Sequence, residues 1–297
     1  MKKGILIVCC VSAALFATTL WAAKAGAPEI EVRETIENSL QQRMVRLTRY
    51  DGQRITGISA SSTFDVQLIQ SDQTKVVAEI SEELESQLEL SLGSDGIVHV
   101  GLRSLGRNNR INRNAILKLT VFLPELTYLK ASGAVTVRTS GAFSAPKTEL
   151  LFSGAAELKS LDLQTGTLKI HSSGATEVSL SGSATSANVQ VSGASEVDLN
   201  LTCERITVNC SGASEVDLVG TAGEGSMNVS GGSDLDAVGF AVGRLDVTAS
   251  GASNAKVWAV DKLKARASGG SSIRYKGAPG VLDTQSSSAS SVRKMNQ

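Results

Sequence analysis

The chain repeats itself, and the repeat restricts its fold more than any other feature. Ser-Gly-Ala or Ser-Gly-Gly begins at Ser132, Ser153, Ser173, Ser192, Ser211, Ser230, Ser250 and Ser268, and a degenerate copy begins at Ser287. The steps are 21, 20, 19, 19, 19, 20, 18 and 19 residues. Periods near 20 are what stacked solenoids leave in a sequence. A flexible Ser/Gly linker shares the composition but has no reason to hold a register over 155 positions.

Asn188 to Leu199 shows what one coil contains. Strict alternation puts Val189, Val191, Val197 and Leu199 on one face and Asn188, Gln190, Glu196 and Asp198 on the other. The next copies place Val208, Cys210, Val216 and Leu218 inward, then Val229, Leu235 and Val238. Short strands that meet at a glycine would stack in parallel on those of the neighbouring coil, about 4.8 Å away. Glycine at Gly133, Gly154, Gly174, Gly193, Gly212, Gly231, Gly251 and Gly269 suits a corner needing positive φ or close backbone approach. The hydroxyls of Thr176, Ser195, Ser214, Ser233, Ser253 and Ser271 form a further column, read here as corner packing.

Composition agrees. Hydrophobic residues make up 41% of the chain but aromatics only 4%, and there are 4 prolines, so the core must be aliphatic, which favours strands. The variable steps exclude a hexapeptide helix, and Gly231 to Asp236 is only a faint echo of a calcium-binding nonapeptide roll. The predicted fold is all-β: a right-handed parallel β-helix, or solenoid, with about 19–20 residues per coil, its hand taken from the general preference of parallel crossovers.

The chain before the repeat divides into three. Lys2 and Lys3, an apolar run from Ile5 to Trp21 and the small residues of Ala23-Lys24-Ala25 read as a signal peptide over residues 1–25, cleaved before Gly26. Residues 26–54 read as an amino-terminal arm or linker. Residues 55–130 alternate less regularly and read as first coils or a cap, with a helical turn over Ser81 to Ser86. The regular β-helix is assigned to 131–297. Export would leave Cys203 and Cys210 in the mature chain. Seven extended steps would separate them by about 23 Å, beyond the reach of a bridge unless the chain turns.

Two charged features are candidate sites. Glu157, Glu177, Glu196, Glu215 and Asp234 fall at one outward position, and Asp198, Asp217 and Asp236 two residues later. Such a column is either a solvated face that keeps the sheet from sticking to others or a bridging calcium site using Glu177, Glu196, Glu215, Asp198 and Asp217. Arg103, Arg107, Arg110 and Arg113, interleaved with asparagines, make a basic loop that is either simply solvated or a binding site for an anionic glycan or envelope phosphate.

Catalysis has little support. His99 and His171 are the only histidines, and neither belongs to a Ser-His-Asp or metal-ligand spacing. No cofactor is implied. With a formal net charge of +0, nothing directs the chain to nucleic acid or an anionic membrane.

Phe64-Asp65-Val66, the strand ending in Leu123-Pro124-Glu125-Leu126 and the serial Ser-Gly-Ala-Ser-x-Val-x-Leu copies resemble the auto-transporter adhesin head, or GIN, domain family over roughly residues 55 to 280. The resemblance implies an all-β solenoid in a cell-envelope setting and brings no catalytic residue. The expected protein is therefore exported (periplasmic, outer-membrane associated or extracellular), non-catalytic, and without an integral membrane segment after signal cleavage. Its partners would be a protein or glycan of the envelope or surface, or itself. A carbohydrate-active β-helix that binds or cleaves polysaccharide is the alternative.

Overall fold

A computed structural model describes residues 44–103, 115–287 and 289–295. The signal peptide, residues 26–43 of the arm, and Arg107, Arg110 and Arg113 lie outside them. The described residues form one twenty-stranded sheet wound into about nine turns of β-solenoid.

The regular part comprises β10 (Ala142–Gly154), β11 (Glu157–Leu158), β12 (Asp162–Gly174), β13 (Glu177–Val191), β14 (Glu196–Cys210), β15 (Glu215–Val229), β16 (Asp234–Ala249) and β17 (Asn254–Ala267), closed by β18 (Ser272–Lys276), β19 (Val281–Ser286) and β20 (Ser291–Lys294). Each long strand pairs in parallel with the next, one repeat later: Val189 stands opposite Val208, and Val197 opposite Val216. Alternation carries one set of aliphatics into the lumen, where Val178, Val189, Val197, Val208 and Val216 are fully buried. Burying such a side chain is worth about 1.5–3 kcal/mol. The alternation breaks once in β14, at the exposed pair Glu204 and Arg205, where the chain turns onto its next face.

The Ser-Gly-Ala corners explain the repeat. Gly133, Gly154, Gly174, Gly193, Gly212, Gly231, Gly251 and Gly269 all have φ between 74° and 99°. A Cβ on Gly193 would lie 2.5 Å from the carbonyl oxygen of Gly174, and one on Gly212 would lie 2.7 Å from that of Gly193. Both reasons for glycine therefore operate at once. The following residue donates its N–H to the same carbonyl, Ala194 to Gly174 at 2.7 Å and Ala213 to Gly193 at 2.8 Å, so the ladder continues around the bend. The hydroxyl column is buried and closes several corners from within: Ser214 Oγ donates to the Ser211 carbonyl at 3.0 Å, and Ser253 Oγ to that of Ser250 at 2.8 Å, while Ser233 Oγ lies 3.2 Å from Ser214 Oγ.

One lumen column alternates in size. Leu163 pairs with Gly182, Gly182 with Leu201, Leu201 with Gly220 and Gly220 with Phe240. A Cβ on Gly182 or Gly220 would meet a leucine carbonyl oxygen at 1.8 or 2.2 Å. Large and small side chains thus interlock along the axis rather than collide.

Val238 departs from its expected inward place. The step from Ser230 to Ser250 contains an extra residue, the β15–β16 register shifts between Asp217 and Val219, and Ala237 is buried while Val238 is only half-buried. A bulge absorbs the insertion and keeps later coils in phase.

The amino-terminal region supplies β1 (Met44–Arg49), β2 (Gly57–Ala60), β3 (Asp65–Gln70), β4 (Lys75–Ser81), β5 (Leu88–Leu92), β6 (Ile97–Leu102), β7 (Leu117–Leu123), β8 (Tyr128–Gly133) and β9 (Thr136–Ser140), with a 3-10 turn at Glu82–Gln87 that buries Leu84. Here rung order leaves chain order. β2 lies between β6 and β8, and β3 between β7 and β9, all in parallel. Beyond them β4 and β5 run antiparallel to β7 and β6, and β1 runs antiparallel to β4. The region is both first coils and cap. β1, inside the segment read as an arm, is a paired strand.

Candidate interaction surfaces

Inward residues are committed to the core, so function belongs to the outward ladders. The acidic one forms as the repeat demands. Glu157, Glu177, Glu196, Glu215 and Asp234 pair successively, followed by Asn254. In the second column Ser179 pairs with Asp198, Asp198 with Asp217 and Asp217 with Asp236.

Stacked like charges penalise their own ionisation. The Asp198 carboxylate beside Glu196, then desolvation and the charges of Glu177, Glu215 and Asp217, hold the Glu196 carboxyl above its ordinary value. Desolvation, followed by Asp198, Glu215 and Asp236, raises Asp217. Asp236 moves the other way. Burial pushes it up, but the Lys256 hydrogen bond, the Val238 N–H and the Lys256 charge together bring it below the usual range. Among the described residues no three His, Cys, Asp or Glu side chains converge as a metal-holding group. Adjacent rungs hold the acidic side chains in line, not around a point.

The signs change at both ends of the second column. Lys159 and Arg138 precede it, already bound to Glu157 Oε1 at 2.7 Å and to the Asp65 carboxylate. Lys256, Arg274 and Arg293 follow it, Asp236 pairing with Lys256, Lys256 with Arg274 and Arg274 with Arg293. Two residues along the strand, Trp258 carries the Lys276 ammonium 3.9 Å from its ring centroid. The flanking basic residues occupy the same position of the repeat as the aspartates, six residues after the corner serine, so the column changes sign along the axis without leaving register.

Another outward column is polar over four consecutive rungs. His171 pairs with Gln190, Gln190 with Asn209 and Asn209 with Asn228, and the Asn228 carboxamide donates to Asn209 Oδ1 at 3.0 Å. With Ser173, Ser192 and Ser211, the side chains of His171, Gln190 and Asn209 line a groove of about 460 Å³, comparable with one of about 410 Å³ beside Leu180, Asp198 and Asp217. This ladder was not singled out in the sequence, where its members look like ordinary polar strand residues.

Of the basic loop, Arg103 is described: it ends β6 and its Nε donates to Glu89 Oε1 at 3.0 Å on the exposed surface. His99 is exposed on β6 opposite Ser59, far along the chain from His171 on β12, and neither forms an ion pair among the described residues. Cys203 and Cys210 are free and buried, in columns with Ala184 and Ala222 and with Val191 and Val229 respectively. Desolvation pushes their thiols up to about 11 and about 12.

The model of the family described as "Putative auto-transporter adhesin, head GIN domain" matches residues 54–199 and 187–279. The chain belongs to this family. Solved structures of the same fold include a "putative lipid binding protein" from Parabacteroides distasonis, 17% identical, with a TM-score of 0.65, covering 86% of this chain and 97% of that one. A "putative adhesin" from Parabacteroides merdae is 18% identical, with a TM-score of 0.64, covering 86% of this chain and 96% of that one. At such identities the likeness concerns fold alone. No curated protein matches the GIN-domain chain in sequence. Among the described residues no helix is long and apolar enough to cross a membrane.

Proposed function

We propose that this GIN-domain protein is an exported, non-catalytic envelope protein whose stacked outward ladders bind a surface protein or glycan. The observation that carries the reading is the neutral polar ladder His171–Gln190–Asn209–Asn228, which repeats similar hydrogen-bonding groups rung after rung. Carboxamides both donate and accept, as a hydroxyl-rich chain requires, without the desolvation cost of a charge. A lumen filled with fully buried aliphatic side chains gives no support to a lipid held inside the solenoid. Family membership and the adhesin-like neighbours support the envelope setting.

The test joins location to binding. Cells producing the full chain are fractionated, and the purified protein is titrated with envelope polysaccharide beside its Gln190→Ala, Asn209→Ala variant. Recovery outside the cytoplasm with saturable binding lost in the variant is expected. Cytoplasmic retention, polysaccharide cleavage, or binding indifferent to the two substitutions contradicts the reading.

A further inference from the structure

We propose that the charged face of the solenoid is the contact surface for a second copy of the same chain, the two copies lying face to face with their axes antiparallel. The column Asp198, Asp217, Asp236, Lys256, Arg274, Arg293 reads three acids and then three bases on consecutive rungs. A two-fold axis parallel to the strands, placed between the rungs of Asp236 and Lys256, brings this column against itself in reverse. Asp236 then faces Lys256 of the second copy, Asp217 faces Arg274, and Asp198 faces Arg293. The two-fold repeats each pairing, as an isologous interface must. Because both copies have the same rung spacing of about 4.8 Å, all pairings come into register together.

The alternative axis is poorer. Centred on Ser179, it would use Lys159 and Arg138, both already engaged with Glu157 and Asp65 inside the chain. On the preferred axis the central Asp236 and Lys256 also pair within the chain, at 2.7 Å, but Asp198, Asp217, Arg274 and Arg293 make no ion pair among the described residues. Val219, 53% exposed, and the half-buried Trp258 border the column and give the interface its apolar part. The charges choose partner and register more than they set affinity. The inference goes beyond ligand binding and does not depend on it.

Charge reversal on one half at a time separates the possibilities. The full chain and two variants, Asp198→Lys with Asp217→Lys and Arg274→Glu with Arg293→Glu, are compared by sedimentation at low and high salt, after circular dichroism has verified the fold of each. The wild type is expected to form a dimer that weakens with salt. Each variant alone is expected to be a monomer, since it sets like charges against each other. Mixed in equal amounts, the variants are expected to form a heterodimer, because every reversed residue then faces an opposite charge. A monomeric wild type at low salt, variants that dimerise as well as the wild type, or a mixture that stays monomeric overturns the proposal. Binding of the neutral polar ladder to polysaccharide is unaffected by any of these outcomes.

Discussion

The Ser195 hydroxyl donates to the carbonyl of Ser192 at 2.9 Å, bridging the glycine bend between them. The same contact joins Ser214 to Ser211, Ser253 to Ser250 and Ser271 to Ser268, so the repeat is a device for turning a strand without leaving its polar groups unpaired.

Adjacent corner positions should therefore respond differently to one methyl group. Gly193→Ala places a Cβ 2.5 Å from the Gly174 carbonyl oxygen at a φ of 81°. It should cost at least the ~1–2 kcal/mol of a left-handed residue. Gly232→Ala has its nearest contact at 3.7 Å and should change stability by less than ~0.5 kcal/mol. Other copies already have alanine there, as at Ala194 and Ala213. Equal losses in a denaturant titration would contradict the corner geometry.

The inward and outward sets should also separate. Val208→Asp puts an unpaired charge at a fully buried site and should cost more than ~4 kcal/mol. Thr207→Val, half-buried on the opposite side of the same strand, should be nearly neutral. Comparable mild effects on thermal unfolding would mean the alternation is misplaced.

The acidic ladder carries a pH dependence of definite sign. Glu196 and Asp217 have folded values raised above the unfolded ones, so the native state binds protons more readily, and their repulsion is relieved as pH falls through the folded values. Glu196→Gln with Glu215→Gln should raise the melting temperature slightly at neutral pH, and the gain should disappear in the acidic range where the wild-type carboxylates are already neutral. A loss at neutral pH, or a calcium-dependent rise in the wild type that the variant lacks, would show that the ladder is a binding site instead.

The two thiols, pushed up to about 11 and about 12, should stay protonated and unreactive in the native protein at neutral pH. Labelling with a thiol reagent should follow unfolding. Rapid modification of the folded protein would contradict their burial.

The solenoid was legible in the sequence because its corners repeat one residue pattern and its strands alternate strictly between them. Strand direction was not legible. β4 and β5 alternate like their neighbours, yet they turn back to form an antiparallel cap, and alternation alone does not encode orientation. The same limit hid β1 in a segment rich in charge. Val238 shows a different failure, because an added residue shifts the alternation within one coil and a bulge restores it. On the surface, the acidic copies stood out by similarity. Their alignment with Lys256, Arg274 and Arg293, and the ladder of Gln190 and Asn209, follow from the same offsets to the corner serines, but residues that differ in type from copy to copy do not stand out as a motif.

One deletion tests the account most directly. Removing Ser192 to Cys210 takes out one full period and joins Val191 to Ser211, and since Val191 pairs with Cys210 the lumen columns are preserved. Each coil contacts mainly its neighbours, so the shortened protein should fold with a β-rich circular dichroism spectrum and a cooperative melt, losing about one interface of stability. Removing only Ser192 to Asn200 joins unlike faces across the break and should yield an aggregated or degraded chain. Equal folding of both variants would make the segment a loose linker, and equal failure would place it in a globular core with long-range contacts.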